Sequence, residues 1–373
     1  MSRISVVIAS LLKPIDDARM YEKFGRSLAQ KNKYEINIIG FYSKKIKYFS
    51  NIHLFPIFNF KRLSPARIFQ PLKYFKILLK VKPEIIIVTC HDLLTVTLLY
   101  TWVKGAYIIY DVQENYYRNI IYNSNLPALL RYLAASFVRV KEYVCHPFID
   151  FYLVAEKGYF AEMSFLQRKG VLIRNSYVDL FELKTRKSKL KNKIRLLYSG
   201  TIAKVYGIFQ IINFITKFHD KYPEIELIII GYCAHRSTLR KIREKIKNKP
   251  YIRLIGGNAW VPHEQIIEQI SNADFGIVNY ELNPAIANCF PTRIYEYIAN
   301  RLPILIQNYS PWSDYCLQIN ASIEINFESP DFDSLILKMK KNQFYIQGIT
   351  EDIFWKQDEQ RLLELFDKIT RKL

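Results

Sequence analysis

Residues 288–305 read NCFPTRIYEYIANRLPIL and lie between two short apolar runs, Phe275–Val278 and Ile304–Ile306. Both runs have the length and composition of buried strands. Pro291 suits a helix start, because its missing N–H would have no partner in the first helical turn. A strand, a helix and a second strand in this order predict a parallel sheet with helical crossovers.

The same alternation runs through the chain of 373 residues. It predicts an α/β protein with two doubly wound, Rossmann-like domains that face each other across a cleft. Helices are expected between the strands, notably at Ala18–Gln30 and Pro127–Val144. The other predicted strands are Ile4–Ala9, Glu35–Gly40, His53–Phe55, Ile85–Thr89, Tyr107–Tyr110, Phe151–Val154, Val171–Ile173, Ile194–Ser199, Glu226–Ile230 and Ile252–Ile255.

A polar, basic segment at 181–193, FELKTRKSKLKNK, is typical of a linker between a first domain (1–180) and a second domain (194–345). The remaining residues, 346–373, predict a terminal amphipathic helix that packs back across the junction, because their apolar residues recur at near-helical spacing. Ligands bind beyond the carboxyl ends of strands in open parallel sheets, so the cleft is the expected site.

The composition excludes several classes of protein. Half of the residues are hydrophobic and Gly and Pro together make only 27, without a repeating period, which excludes collagen-like chains, repeat arrays and wholesale disorder. Five scattered cysteines predict neither a disulfide framework nor a zinc site and favour a reducing, cytoplasmic setting. The run Val6–Leu12 is too short for a signal-peptide core, and Leu126–Val154 contains five charged residues, so no transmembrane helix is expected.

Positive charge is concentrated in the first half of the chain. Residues 1–190 contain 30 Lys and Arg against 14 Asp and Glu, whereas the remainder contains 24 against 20. The segment Lys61–Lys82 interleaves seven basic residues with aromatic and aliphatic ones, which is typical of a helix at an anionic lipid interface. A solvated helix face is the plainer alternative. Nucleic acid is not expected as a partner, because no motif supports it.

Residues after two predicted strands of the second half can bind a phosphorylated ligand. Gly200 lets the backbone approach a phosphate, and Lys204 can neutralise its charge. Backbone donors from Thr292 onward point toward an incoming anion at a helix start, where Arg293 adds positive charge. One turn later, Glu296 can accept hydrogen bonds from two ribose hydroxyls.

These residues resemble the donor-binding motif of family 4 glycosyltransferases of the two-domain GT-B type. In that family a Glu, seven intervening residues and a second Glu bind a nucleotide sugar. The second Glu falls on Glu296, which the resemblance implies holds the ribose. The first falls on Asn288, which can still hydrogen-bond a sugar hydroxyl but carries no charge.

The segment 198–215, YSGTIAKVYGIFQIINFI, resembles the family's strand, Gly-containing loop and helix that bind the diphosphate. Tyr206 stands where relatives often have a basic residue, so Lys204 is the expected substitute. The donor-binding residues that the resemblance implies are Gly200, Thr201, Lys204, Asn288, Phe290, Pro291, Thr292, Arg293 and Glu296.

The first half resembles the family's acceptor-binding domain. Residues 16–40 resemble its first helix and second strand, with Asp17 and Arg19 on matching positions, although the glycine-rich turn often found after the first strand is absent. The segments CHDLL and YDVQENY resemble acceptor-side loops at strand ends. The resemblance therefore implies an acceptor-binding domain at 1–180 and a nucleotide-sugar-binding domain at 194–345. The acceptor-side positions are His91, Asp92, Asp111 and Glu114, and the candidate catalytic residues are His91, Asp92 and Glu114.

The implied activity is retaining transfer of a sugar from a nucleotide diphosphate sugar to a lipid-linked or cell-surface glycan, in polysaccharide, capsule or lipopolysaccharide assembly. No metal and no cofactor other than the donor is expected, and the only Asp-x-Asp pair, Asp331–Asp333, precedes a predicted helix outside this site. The basic first half implies peripheral attachment to an anionic membrane surface from the cytoplasm. Two alternatives stay open: a sugar-nucleotide epimerase of similar fold, and a noncatalytic binder of anionic glycan or nucleic acid, which the departures at Asn288 and Tyr206 allow.

Overall fold

Short aliphatic runs form the strands, as expected for parallel strands that are buried on both faces. The computed structural model describes residues 3–43, 49–60, 64–124, 126–179, 193–341 and 343–373. The chain divides into two units, Met1–Val178 with Trp355–Leu373, and Asp179–Phe354. Of the predicted linker at 181–193, the structure describes only Lys193. Lys61 and Arg62 of the predicted lipid-facing segment also lie outside the described residues.

The described part of the first unit forms a seven-stranded parallel sheet in the order β3-β2-β1-β4-β5-β6-β7. Its strands are β1 (Ile4–Pro14), β2 (Tyr34–Phe41), β3 (Ile52–Phe58), β4 (Ile85–Val88), β5 (Tyr107–Val112), β6 (Phe151–Val154) and β7 (Gly170–Leu172). Its helices are α1 (Arg26–Ala29), α2 (Gln70–Val81), α3 (Leu94–Lys104), α4 (Tyr116–Asn123), α5 (Ala128–Cys145) and α6 (Tyr159–Glu162). Short 3₁₀ turns lie at Pro65–Phe69, His91–Leu93, His146–Phe148 and Ser164–Leu166.

The predicted helix Ala18–Gln30 is not a single α-helix. Residues Ala18–Gly25 form a π-helix, which continues into α1. The Asp17 carboxylate caps its start by accepting from the backbone N–H groups of Arg19 (3.1 Å) and Met20 (3.2 Å). The spacing of apolar residues over eight positions does not distinguish the wider π turn from an α turn, so the sequence pattern contained no signal for this difference.

The C-terminal helix, Trp355–Thr370, packs on the first unit. The Trp355 indole N–H donates to Ser27 Oγ at 2.9 Å, and the Phe366 ring meets the edge of Tyr34 at 5.5 Å. The helix starts later than the predicted boundary at 346. The preceding residues include Gly348 at φ +82° and a 3₁₀ turn, Glu351–Ile353, and they belong to the second unit.

The described part of the second unit forms a six-stranded parallel sheet in the order β10-β9-β8-β11-β12-β13. Its strands are β8 (Ile194–Thr201), β9 (Ile225–Tyr232), β10 (Ile252–Gly257), β11 (Phe275–Val278), β12 (Ile304–Gln307) and β13 (Ser322–Ile325). Its helices are α7 (Ile208–Lys221), α8 (Arg236–Ile246), α9 (His263–Asn272), α10 (Thr292–Ala299), α11 (Ser310–Gln318) and α12 (Phe332–Lys341).

The prediction of an α/β fold with two doubly wound parallel sheets is confirmed, and every predicted strand is present within a few residues of its expected ends. Strand β13 was not predicted, because SIEI is a four-residue edge strand with alternating polar side chains and lacks the continuous apolar run of a central strand. In the parts of the chain that the structure describes, no helix combines the length and the apolar character needed to cross a bilayer.

Candidate functional site

Two glycines lie side by side at the carboxyl ends of β8 and β9. Gly200 has φ +95°, and it pairs in register with Gly231. A Cβ atom on Gly231 would lie 1.7 Å from the carbonyl oxygen of Gly200, so no other residue fits there. The two backbones therefore approach each other closely at the sheet edge where ligands of parallel sheets bind.

The loop after β8 is held against the loop after β11. Gly207, at φ +67°, precedes α7, and a Cβ atom there would lie 2.3 Å from the Asn279 carbonyl oxygen. The Glu281 N–H donates to the Val205 carbonyl at 3.0 Å. Lys204 is exposed on this loop, in the 3₁₀ turn Lys204–Tyr206. Its position leaves the ammonium group accessible to an anionic ligand.

Arg293, in the first turn of α10, is buried, with 5% of its surface exposed. Its Nη2 donates to the Thr201 carbonyl at 3.3 Å. The guanidinium carbon lies 4.3 Å from the ring centroid of Tyr198, 5.4 Å from that of Tyr280 and 6.0 Å from that of Tyr206. Burial raises the pKa of Tyr280 above its ordinary range, so this ring faces the cation as a neutral phenol.

Among the described residues, Nη1 of Arg293 is buried without a hydrogen-bond partner, and no carboxylate pairs with the guanidinium. A buried cation is stable only when its charge is compensated, and aromatic faces supply part of that compensation. The remaining donor is available for an anion. Sequence reasoning identified Arg293 but missed the tyrosines, because no motif connects Tyr198 and Tyr280 to it.

Tyr297 fixes the position of α10 over the sheet. Its hydroxyl accepts from the Ser199 N–H at 3.1 Å and donates to the Leu197 carbonyl at 3.4 Å. Its ring packs directly against Gly276, where an added Cβ atom would lie 2.4 Å from the ring. Burial raises the pKa of Tyr297 to about 12, so the hydroxyl keeps its proton. These contacts hold Arg293 and Glu296 at the end of β8.

Glu296 lies one turn after Arg293 on α10 and is half-buried. Its Oε1 is 3.1 Å from Nε2 of His263, the first residue of α9. The sequence places His263 at a helix start, as observed. It carries no signal for the contact with Glu296, because the two residues are 33 positions apart and belong to different helices.

The loop before α10 carries the other predicted donor-binding residues. Asn288 and Thr292 are exposed, and the Phe290 ring lies 4.8 Å from that of Tyr295. Pro291 immediately precedes the helix and is not its first residue; its carbonyl accepts from the Ile294 N–H at 2.9 Å. The start of α11 and the residue before it anchor the loop. The Tyr309 hydroxyl donates to the Ala287 carbonyl at 2.6 Å, and the Trp312 indole donates to the Cys289 carbonyl at 2.7 Å.

The structure thus brings Gly200, Thr201 and Arg293 into one group, with Glu296 on the next turn of α10. Lys204 and Asn288 lie on exposed loops at the same sheet edge. In the described ranges, no three His, Cys, Asp or Glu side chains are grouped so that they could share a metal ion.

In the first unit, His91 and Asp92 follow β4. Asp92 Oδ2 lies 2.6 Å from Nη2 of Arg67 and 3.8 Å from Nε2 of His91. The His91 ring meets the Tyr116 ring edge to face at 4.8 Å, and its Nδ1 is buried with no hydrogen-bond partner in the described structure. Burial lowers the pKa of His91 to about 4, so the imidazole is neutral at pH 7.

Glu114 and Asp111, both near the end of β5, have different environments. Glu114 is exposed and accepts from Asn119 Nδ2 at 2.8 Å. Asp111 is fully buried and pairs with the Arg19 guanidinium, whose Nη2 lies 2.7 Å from Oδ1. Asp111 is therefore a buried partner of the π-helix residue Arg19, although the sequence pattern grouped it with the acceptor-side loops. Tyr116 joins the loops after β4 and β5, because its hydroxyl also donates to the Thr89 carbonyl at 3.3 Å.

Comparisons with known proteins agree with this geometry. Residues 181–335 match the family model of glycosyl transferases group 1. No curated protein sequence matches the chain significantly. The sucrose-phosphate synthase of Thermosynechococcus elongatus has a similar structure, with a TM-score of 0.69 and 12% identity over 99% of this chain and 97% of its own.

Two further solved structures show how widely the fold is used. Anabaena HepE in complex with UDP and glucose has a TM-score of 0.64 and 10% identity, covering 98% of this chain and 100% of its own. The UDP-GlcNAc 2-epimerase of Methanocaldococcus jannaschii has a TM-score of 0.58 and 13% identity, covering 98% of this chain and 99% of its own. At these identities the structures establish the fold, which transferases and epimerases share.

The segment that the family model matches contains Gly200, Arg293 and Glu296. The chain is a glycosyltransferase of the two-domain GT-B fold, and residues 181–335 carry its glycosyl transferases group 1 domain.

Proposed function

We propose that this glycosyltransferase moves a sugar from a nucleotide diphosphate sugar, with retention at the anomeric carbon, to a lipid-linked or cell-surface glycan in polysaccharide, capsule or lipopolysaccharide assembly. The observation that carries the donor part of this proposal is the tyrosine-lined Arg293, whose buried Nη1 has no partner among the described residues. A diphosphate oxygen is the complement of that donor.

The donor is proposed to bind along β8 and α10. The diphosphate contacts Arg293, the backbone N–H groups that begin α10 at Thr292, and the bare backbone at Gly200 and Thr201. The exposed Lys204 adds charge at the outer side of the diphosphate. This arrangement compensates for Tyr206, which stands where relatives often have a cation, because Arg293 supplies the cation from a helix instead of the loop.

Glu296 is proposed to accept hydrogen bonds from the ribose hydroxyls, with His263 orienting its carboxylate from 3.1 Å. Asn288 and Phe290, on the loop that Tyr309 and Trp312 anchor, are proposed to contact the sugar. Pro291 sets the direction in which this loop enters α10.

The reaction breaks the bond between the anomeric carbon and a diphosphate oxygen, which keeps the bonding electrons. A new bond joins the anomeric carbon to the oxygen of an acceptor hydroxyl, whose proton passes to the released diphosphate or to water. The chemical demand is to stabilise the departing diphosphate beside an oxocarbenium-like sugar. Arg293, Lys204 and the α10 N–H groups meet that demand without a metal and without a cofactor other than the donor. We assign no nucleophile.

The acceptor is proposed to bind the first unit at His91, Asp92 and Glu114. The neutral His91 imidazole and the two carboxylates offer hydrogen-bond partners for glycan hydroxyls. The excess of basic residues in 1–190 is proposed to keep the enzyme peripheral at an anionic cytoplasmic membrane face, where a lipid-linked acceptor is found. Nucleic acid is not proposed as a partner.

The test is thermal stabilisation of the purified protein by UDP, GDP, ADP, CMP and their sugar conjugates, because a ligand that binds only the folded state raises the melting temperature. We expect a selective shift that Glu296→Ala abolishes. No shift with any nucleotide would favour the noncatalytic alternative that Asn288 and Tyr206 allow. An epimerised nucleotide sugar formed without acceptor would favour the epimerase alternative, which rests on the shared fold alone.

A further inference from the structure

Helix α5 exposes an unusually apolar surface. The structure describes the whole helix, and none of its exposed side chains is charged. Leu129 is 72% exposed and Phe137 is 69% exposed. The exposed residues are Ala128, Leu129, Leu130, Tyr132, Leu133, Ser136, Phe137, Val140, Tyr143 and Val144.

The charged residues of α5 lie on its inward side. Glu142 is buried and accepts from the Tyr110 hydroxyl at 3.0 Å. Arg139 Nη2 donates to Asn115 Oδ1 at 2.7 Å. Arg131 Nη1 donates to the Ile121 carbonyl at 3.0 Å. The charged groups of the helix thus lie toward the protein beside the buried Ala135, Val138 and Cys145, and its outward side is almost entirely apolar, unlike that of an ordinary surface helix.

Helix α3 extends this surface. Trp102 is 63% exposed, and Leu99 and Val103 are also exposed. The Trp102 ring lies 5.5 Å from Phe148, which follows α5 and is exposed as well. We call the exposed residues of α5 together with Leu99, Trp102, Val103 and Phe148 the α3–α5 face. Monomeric proteins rarely leave continuous apolar patches of more than a few hundred Å² in water.

Lysines border the α3–α5 face. Helix α2 packs on α3 through the Tyr74 hydroxyl, which lies 2.9 Å from Thr97 Oγ1. On the outer side of α2, Lys73, Lys76 and Lys80 are exposed, and Lys104 is exposed at the end of α3. Tyr74 and Leu78, two of the apolar residues that the sequence analysis assigned to a lipid interface, are buried in the protein. Helix α2 therefore exposes these lysines beside two leucines, Leu72 and Leu79, and α5 offers the larger apolar surface.

We propose that the α3–α5 face inserts into the boundary between headgroups and acyl chains of an anionic bilayer, with the α2 lysines against the headgroups. This inference rests on the part of the proposed function that places the acceptor at a membrane. It adds which residues attach the protein to that membrane. Charge complementarity favours a bilayer over a second copy of the chain, because a symmetric contact would bring two sets of lysines together. Trp102, Tyr132 and Tyr143 combine apolar rings with polar tips, which suits this depth of a membrane.

The first experiment is flotation with vesicles of phosphatidylcholine alone or with about a third phosphatidylglycerol, at low and high salt. Because salt screens charge but not apolar insertion, we expect the wild type to float with anionic vesicles and to stay partly bound at high salt. Leu133→Ser with Phe137→Ser should lower the salt-resistant fraction at least about tenfold. The matched control is Leu317→Ser with Leu337→Ser, which removes two exposed leucines of the second unit and should change nothing.

The second experiment places Trp102 in the bilayer. In a Trp260→Phe background, which removes the exposed tryptophan of the second unit, brominated lipids should quench the remaining exposed tryptophan, and Trp102→Phe should abolish this quenching. Absence of quenching in bound protein overturns the proposal. So does concentration-dependent dimerisation that the α5 variants abolish while vesicle binding persists.

The α5 variants also separate this inference from the proposed function. Unchanged stabilisation by the nucleotide shows that they are folded and that the donor site is intact. If the wild type fails to insert into anionic vesicles while the nucleotide still stabilises it, the membrane inference is wrong and the donor proposal stands.

Discussion

The Arg293 guanidinium lies 4.3 Å above the ring of Tyr198, a residue of β8 three positions before the Thr201 carbonyl that Nη2 contacts. One helix residue is thereby fixed to the strand whose end carries the bare glycine backbone. The cation is bound by rings and a carbonyl, and no carboxylate neutralises it within the described residues. Its positive charge is therefore available to a ligand at this edge of the second sheet.

Arg293→Gln should weaken binding of a nucleoside diphosphate by about 10- to 100-fold, because a hydrogen bond to a charged group contributes about 1.5–3 kcal/mol. Titration calorimetry with the diphosphate that stabilises the wild type measures this. The corresponding nucleoside, which has no phosphate, should bind both proteins equally. Lys204→Gln removes the exposed cation and is the matched control. It should lower the affinity for the diphosphate only a few-fold. A larger loss in Lys204→Gln than in Arg293→Gln would contradict the assignment.

Glu296 should account for selection of ribose over deoxyribose. The wild type should bind a ribonucleotide more tightly than its 2′-deoxy analogue, and Glu296→Ala should bind both with the same weak affinity. His263→Gln should reduce ribonucleotide affinity only a few-fold, since a partly exposed polar contact of this kind contributes about 0.2–1 kcal/mol. If Glu296→Ala still binds the ribonucleotide more tightly than the 2′-deoxy analogue by the wild-type factor, Glu296 does not bind the ribose.

Runs of aliphatic residues made the parallel sheets predictable, because strands such as β4 are buried on both faces and read IIIV without interruption. The start of α10 was predictable for a similar local reason, as Pro291 marks it to within one residue. In each case the signal lies within a few neighbouring residues.

The contacts that complete the site were not predictable in this way. His263 meets Glu296, and Arg19 meets Asp111, across distances in sequence that carry no periodic pattern. The exposed apolar side of α5 could not be predicted either. Its charged residues made the segment look unsuited to lipid, although Arg139 and Glu142 point inward. Only the fold determines which side of a helix its charges occupy.

Gly207→Ala should destabilise the second unit and weaken donor binding. The substitution places a Cβ atom 2.3 Å from the Asn279 carbonyl in a backbone of φ +67°. The control is Gly348→Ala in the same unit, at φ +82° with open space around the added Cβ. We expect Gly348→Ala to lower the free energy of unfolding by about 1–2 kcal/mol from backbone strain alone. Gly207→Ala should lower it by at least about 2 kcal/mol more. Urea unfolding gives both values, and equal losses would show that the loop yields to the added methyl group.

His91 should make the first unit sensitive to acid. Burial lowers its pKa to about 4 in the folded protein, below its ordinary value of 6.5. As the pH falls below 6.5, His91 therefore becomes protonated in the unfolded chain but stays neutral in the folded protein. The free energy of unfolding decreases progressively down to about pH 4, where the folded protein also binds the proton. At pH 5 the loss attributable to this group is about 2 kcal/mol.

His91→Gln should remove that part of the pH dependence, so that urea unfolding at pH 7.5 and at pH 5 gives a smaller difference than in the wild type. His235→Gln, at an exposed histidine of the second unit, serves as the control and should leave the difference unchanged. Since Asp92 lies 3.8 Å from His91 Nε2, protonation of the folded protein would bring the imidazolium against a carboxylate that already pairs with Arg67. An acid dependence in His91→Gln as steep as in the wild type would mean that burial does not hold His91 neutral.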